Sequence, residues 1–228
     1  TNNGSERMIL LDYSQIALSN IIVQKLNDEN MIRHMILNSI RMYNKKYRNE
    51  YGQMVICADG MNTWRKDYFP LYKAHRKKNR SESDQDWPEI FRILNLVREE
   101  IRENLPYKVI HLEGCEADDV IGTLAMQTQE FGQHEPVMII SSDKDFIQLH
   151  KYNNVKQFSP IQKKAVSDKN PRTYCFEHIC RGDKGDGIPN ILSADNCLDE
   201  GSRQTPLRKP VVDKYLRISK EKDDKYYR

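Results

Sequence analysis

Four times along this chain a short apolar run ends at or just before a carboxylate, and that repetition limits the fold more than any other feature. Residues 8–11 run into Asp12, residues 54–58 run into Asp59, residues 108–112 lead to Glu116, and residues 137–140 lead through two serines to Asp143. Short, largely apolar runs of this kind suit parallel strands that emerge into a cleft. Segments of helical character fall between them, at 30–47, 88–104 and 117–131. The alternation predicts an α/β fold with a mainly parallel central sheet flanked by helices. In such sheets ligands bind beyond the carboxyl ends of the strands, so acids placed there converge on one cleft however distant they are in sequence. A single strand-end acid reads as readily as a turn former or helix cap. Four in succession do not.

Past position 149 the pattern loosens. NVKQFSP and KKAVS predict short strands or a hairpin, 171–180 predicts a helix, and GDKGDGIPN is a Gly- and Asp-rich loop carrying Asp183 and Asp186. The tail from 216 to 228 is mostly charged, and no helical or strand period stands out in it. With 228 residues one main domain is expected. No apolar stretch approaches the roughly 20 residues of a membrane span, and the first residues lack the apolar segment of a signal peptide, so no membrane association and a cytoplasmic address are expected. The five cysteines are odd in number and form no CxxC pair, which reads as reduced thiols.

A formal net charge of +3 would say little about partners if it were evenly spread. Between Arg65 and Arg80, however, seven Lys or Arg face one acid, Asp67. That density is an electrostatic footprint for phosphates, the alternative being a solvated charged helix.

The acids fall in five places: Asp12; Asp59; Glu116, Asp118 and Asp119 in CEADDVIG; Asp143 and Asp145 in SSDKDF; and Asp183 with Asp186 in GDKGDG. Gathered in one cleft they would repel strongly unless divalent cations neutralised them. Oxygen-only ligands suit Mg2+ or Mn2+, and no His or Cys cluster argues for zinc. Two such ions, about 3.5 to 4 Å apart, can clamp a scissile phosphate between nucleophile and leaving oxygen, so phosphodiester hydrolysis needs no Ser or Cys nucleophile. Taken alone, EADD also fits an acid-rich helix N-terminus.

Together these stretches resemble the flap endonuclease or 5′ nuclease superfamily, closest to the ribonuclease H type of T-even-like bacteriophages. LLDYSQIALS is similar to the family's first-strand motif, VICADG with TWRKDYFPLYKAHRKKNR to the second strand and basic arch, and CEADDVIGTLA to the central acidic helix. SSDKDFIQLHKYNNVKQFSP and GDKGDGIP complete the set in the family's order, from about Met8 to Pro189. The resemblance implies one metal around Asp12, Asp59, Glu116, Asp118 and Asp143, a second around Asp145, Asp183 and Asp186, and Asp119 as an outer or water-mediated ligand. It further implies that Lys73 and Arg76 of YKAHR grip phosphate, with Arg65 and Lys77 as further contacts and Tyr72 stacking on a base or packing in the arch. Trp64 and Trp87 read as core or hinge packing.

The resemblance implies a catalytic domain over 8–180 that includes a basic helical arch at about 61–87. A helix-hairpin-helix-like DNA-binding region follows over 181–228, expected to be truncated. In that hairpin NILSADN replaces the Gly-rich second half usual in cellular members, which puts K+ binding and the duplex grip in doubt. The implied activity is Mg2+-dependent 5′ to 3′ exonuclease and flap endonuclease cutting of DNA and RNA:DNA duplexes, 5′ flaps and forks, removing RNA primers in lagging-strand replication. Family partners are a sliding clamp and a single-strand-binding protein, and a monomer is expected. The rivals are a PIN-type single-strand ribonuclease, a catalytically silent DNA-binding protein, and a phosphatase using an aspartyl intermediate.

Overall fold

The computed structural model describes residues 7–24, 28–129 and 134–226. They divide into two compact units: the first runs to Trp64 and takes in Asp84–Asp168, and the second joins Arg65–Ser83 to the chain from Lys169 onward. This division differs from the motif-based one, since the basic segment and the helix at 171–181 both group with the C-terminal part.

The first unit is built on a six-stranded sheet in the order β3-β2-β1-β4-β5-β6, with β1 Met8–Asp12, β2 Gln53–Ala58, β3 Lys108–His111, β4 Val137–Ile140, β5 Val155–Ser159 and β6 Lys164–Val166. The first five strands are mutually parallel, and only β6 pairs antiparallel, closing the expected hairpin with β5. Alternate residues feed opposite faces. Ile9 and Leu11 of β1 pack with Ile56 and Ile140 under α1 (Tyr13–Gln24), α2 (Glu29–Tyr51) and α5 (Trp87–Asn104). Leu10 packs with Ile139 and Cys57 under α6 (Ala117–Gln127) and the 3-10 helix Lys144–Lys151. Burial on both sides is why β1, β2 and β4 read as apolar runs. The strand order reverses between β1 and β4, so the crevice at their carboxyl ends is the topological switch point, where Asp12 and Asp143 stand.

Two helices correct the sequence expectations. The helix α1 was absent from them because its apolar residues, Ile16, Ala17, Leu18, Ile21 and Ile22, are intermixed around the helix with Ser14, Gln15, Ser19 and Asn20, leaving no stripe to mark a period. In the second unit the featureless tail is α8 (Lys209–Tyr226), which packs against α7 (Pro171–Arg181). Val212 is its one fully buried hydrophobe among the described residues, and the charges around it mask the period. Of the expected helix over 117–131, the last described turn ends at Gln127, and 130–131 lie outside the described residues. The basic segment forms two short helices, α3 (Arg65–Tyr68) and α4 (His75–Ser81).

Candidate active site

In the first unit the acids stand where the strands stop. Asp12 closes β1 and also caps α1: its Oδ1 accepts from the Gln15 N–H at 3.4 Å, a site any helix N-terminus offers a carboxylate. Its Oδ2 accepts from the Ser141 hydroxyl at 2.9 Å. Asp12 is only 5% exposed, and burial, reinforced by the charges of Asp59 and Asp143, pushes its carboxyl up to about 7 despite the two hydrogen bonds. No cation among the described residues offsets the charge of this carboxyl.

Asp59 follows β2. Its Oδ1 accepts from the Ala117 N–H at 2.7 Å and its Oδ2 from the Ser14 hydroxyl at 3.0 Å, tying the first turns of α6 and α1 to one carboxylate. The loops after β2 and β3 are zipped together by Gly60 N–H to Cys115 O (2.8 Å), Gly114 N–H to Met61 O (2.9 Å) and Trp64 N–H to Gly114 O (2.9 Å). The approach is so close that a Cβ on Gly60 would lie 1.8 Å from the Leu112 carbonyl oxygen. The zipper brings Glu116, the buried N-cap of α6, beside Asp59. Asp118 occupies the first turn of the same helix, half-buried. Asp119 is engaged locally: its Oδ2 accepts from the Glu116 N–H at 2.9 Å and from the Trp64 indole N–H at 3.2 Å. Trp64 is 45% exposed, which excludes the core half of the expected core or hinge packing; Trp87 does pack, against Phe91.

Asp143 caps the 3-10 helix, its Oδ1 accepting from the Asp145 N–H at 2.8 Å, and its own N–H donates to Ser141 Oγ at 3.1 Å. Ser141 thus spans Asp12 and the Asp143 backbone. The loop is held from beneath by Gln157, whose Nε2 donates to the carbonyls of Ser141 (2.9 Å) and Asp143 (2.6 Å). Both amide donors being used, Gln157 Oε1 faces His150 Nε2 at 3.0 Å, and since that oxygen can only accept, the ring nitrogen carries the donating hydrogen, while burial holds the imidazole below its ordinary pKa. Ser14, Ser141 and Gln157 were not among the sequence candidates. Ser141, directly after β4, and Gln157, a buried polar residue inside β5, were the available signals.

The second unit carries the Gly–Asp loop and the basic segment. Asp183 Oδ1 accepts from the N–H groups of Gly185 (2.7 Å) and Asp186 (3.2 Å), and paired Asp183–Ile188 backbone bonds close the loop. Gly187 sits at φ 76°, and a Cβ there would press on the Leu71 carbonyl at 3.1 Å. The Asp186 carboxylate accepts from Arg76 Nη2 (2.7 Å) and the Tyr72 hydroxyl (3.1 Å), with Lys73 Nζ at 3.8 Å. Tyr72 is 4% exposed, its ring flanked by Lys73 and Arg65, which gives it a packing role in place of base stacking. Lys77 is exposed on α4. Lys73 and Arg76, expected on phosphate, and Asp186, expected on metal, therefore hold one another.

The chain belongs to the 5′-3′ exonuclease family: the model for that family's N-terminal resolvase-like domain matches residues 8–175. Its members are nucleases, hydrolases of phosphodiester bonds, and this chain is one of them. Among its relatives is the ribonuclease H of Enterobacteria phage T4, 40% identical over 220 residues, or 91% of this chain and 72% of the relative. The fold matches that of the bacteriophage T5 flap endonuclease in a pseudo-enzyme-product complex with DNA and metal ions (TM-score 0.67, 17% identity, covering 94% of this chain and 85% of that one). It likewise matches the T5 5′-exonuclease bound to divalent zinc ions (TM-score 0.67, 16% identity, 91% and 82%). No helix among the described residues is long and apolar enough to cross a membrane.

Proposed function

We propose that this chain is a divalent-metal-dependent, specifically Mg2+-dependent, 5′ to 3′ exonuclease and flap endonuclease that removes RNA primers during lagging-strand replication. The observation that carries the proposal is the gathering of Asp12, Asp59, Glu116 and Asp143 at the carboxyl ends of the strands, where burial first, and then the charges of Asp59 and Asp143, raise the Asp12 carboxyl to about 7. Buried carboxylates set this close together, with oxygen donors only, are a donor set that fits a hard divalent cation. Asp12, Asp59, Glu116, Asp118 and Asp143 would hold one ion, and Asp145, Asp183 and Asp186 a second. Ions held by these residues would supply the charge that activates a water and stabilises the leaving oxygen.

The chain's own groups do the rest. Ser141, Gln157 and the first turns of α1 and α6 fix the carboxylates before any ligand arrives, which removes the cost of ordering them later. Asp119 acts through the α6 N-terminus, holding Glu116 in place. Arg65, Lys73, Arg76 and Lys77 bring phosphate to the arch, selecting by strand geometry and not by base. The region after 180 would hold the duplex, a sliding clamp and a single-strand-binding protein would recruit the enzyme, and the host cell cytoplasm would be its compartment. The T4 relative's name and the DNA and metal ions of the T5 complex support this assignment.

The test compares a 5′-flap DNA, a primer-like RNA:DNA hybrid and a small phosphomonoester, each with Mg2+ and with EDTA. Metal-dependent cutting of the first two alone is expected. Turnover of the phosphomonoester with both nucleic acids left intact would overturn the proposal.

A further inference from the structure

Asp186 and the arch cations hold one another, so a ligand taken by either side competes with the ion pair. Arg76 reaches the loop twice, through Nη2 to Asp186 Oδ1 at 2.7 Å and Nε to the Gly185 carbonyl at 3.2 Å. Lys73 sets its Nζ 3.8 Å from the same carboxylate oxygen, while its backbone N–H donates to the Asp186 carbonyl at 2.8 Å. To do so Lys73 adopts φ 55°, a left-handed conformation unfavourable for a residue with a Cβ. All these contacts lie within the second unit.

We propose that this cluster is a latch that nucleic-acid phosphate and a divalent cation open together, so that each ligand raises the affinity for the other. The proposal rests on the nuclease assignment above. A phosphate that takes Arg76 and Lys73 strips Asp186 of its two cations and leaves the Tyr72 hydroxyl among its described side-chain partners. A half-buried carboxylate without counter-charge is costly, and a divalent cation restores the balance. Conversely, a cation on Asp186 frees Arg76 and Lys73 for phosphate. Such coupling is reciprocal by thermodynamic linkage. The latch therefore discourages the arch from gripping nucleic acid when no metal is present to cut it.

Fluorescence anisotropy of a labelled 5′-flap DNA in EDTA tests this without any cleavage. Asp186→Asn keeps the shape of the side chain and an acceptor for Tyr72, and removes the charge that holds the arch cations; it is expected to tighten flap binding about threefold or more. Asp195→Asn removes the same charge from an exposed position in the same unit, and should change affinity by less than about twofold. In an Arg76→Ala background the gain from Asp186→Asn should also shrink below about twofold, because the pair no longer exists to be broken. As a second readout, adding Ca2+ should tighten flap binding by the wild-type chain and do so less for Asp186→Asn. Equal gains from the two Asp→Asn changes would reveal a general charge effect and overturn the latch. So would a gain that survives Arg76→Ala. Either result leaves the nuclease assignment standing, since that is judged by cutting; a wild-type chain that binds no flap with or without Ca2+ would sink both.

Discussion

Replacing Asp12 by Asn should stabilise the metal-free protein at alkaline pH and destroy its response to metal. The native carboxyl is raised from 3.8 to about 7, mainly by burial and then by Asp59 and Asp143. At about 1.4 kcal/mol for each pH unit of displacement, keeping Asp12 ionised in the folded state costs about 4 kcal/mol. The sign follows from proton uptake: between about pH 4 and 7 the folded state binds the proton that the unfolded state has released, so this group makes the apoprotein lose stability as pH rises through that window. Below pH 4 both states are protonated and no penalty exists. Asn carries no charge but forfeits an acceptor for the Ser141 hydroxyl, a loss of about 1 kcal/mol. Urea unfolding in EDTA should therefore show Asp12→Asn more stable than wild type by about 3 kcal/mol at pH 8 and within about 1 kcal/mol at pH 5. Millimolar Mg2+ should reverse the order at pH 8 by stabilising the wild-type chain. A gap that does not change with pH, or an Asn variant less stable at pH 8 in EDTA, would refute the crowded-carboxylate account.

Other parts of the site yield simpler expectations. Gln157→Ala strands two buried carbonyls and the His150 donor, so it should cost about 2 to 4 kcal/mol in denaturant unfolding and slow cutting by loosening Asp143; an effect below about 0.5 kcal/mol would remove Gln157 from the support. Gly60→Ala drives a Cβ into the Leu112 backbone, which has no flexible end to yield, and should lower the melting midpoint by more than about 10 °C. A near-native melt would contradict the zipper between the two loops. Lys73→Ala should weaken flap binding with Mg2+ present and reduce the salt slope of binding by about 1. An unchanged slope would take Lys73 off the phosphate.

What the sequence disclosed, and what it hid, follows from the range of each interaction. Strand-end acids were legible because strands buried on both faces give largely apolar runs, and a carboxylate that ends one is visible without knowing its neighbours. The helix α1 was illegible because its apolar and polar residues are spread over the same faces, and α8 because its charges outnumber the few residues it buries. The supports of the site depend on chain folding and leave no local trace: Gln157 lies 14 residues from the Asp143 carbonyl it holds, and Arg76 lies 110 from Asp186. Tyr72 shows the limit of a motif, which supplies the residue type and not its burial. The motif YKAHR implied phosphate contacts, whereas packing places Tyr72, Lys73 and Arg76 on a carboxylate.

The central claim, that carboxylates at the strand ends hold the metal on which cutting depends, is tested most directly by Asp118→Asn on a 5′-flap DNA, with cleavage and binding measured side by side in Mg2+ and in EDTA. Asp118 lies in the first turn of α6 and is distant in sequence from the basic segment. Cleavage by the wild-type chain should require Mg2+. The Asn variant should lose cutting by about a hundredfold or more while its flap affinity stays within about threefold of wild type. Undiminished cutting by Asp118→Asn, or wild-type cutting that persists in EDTA, would contradict the claim.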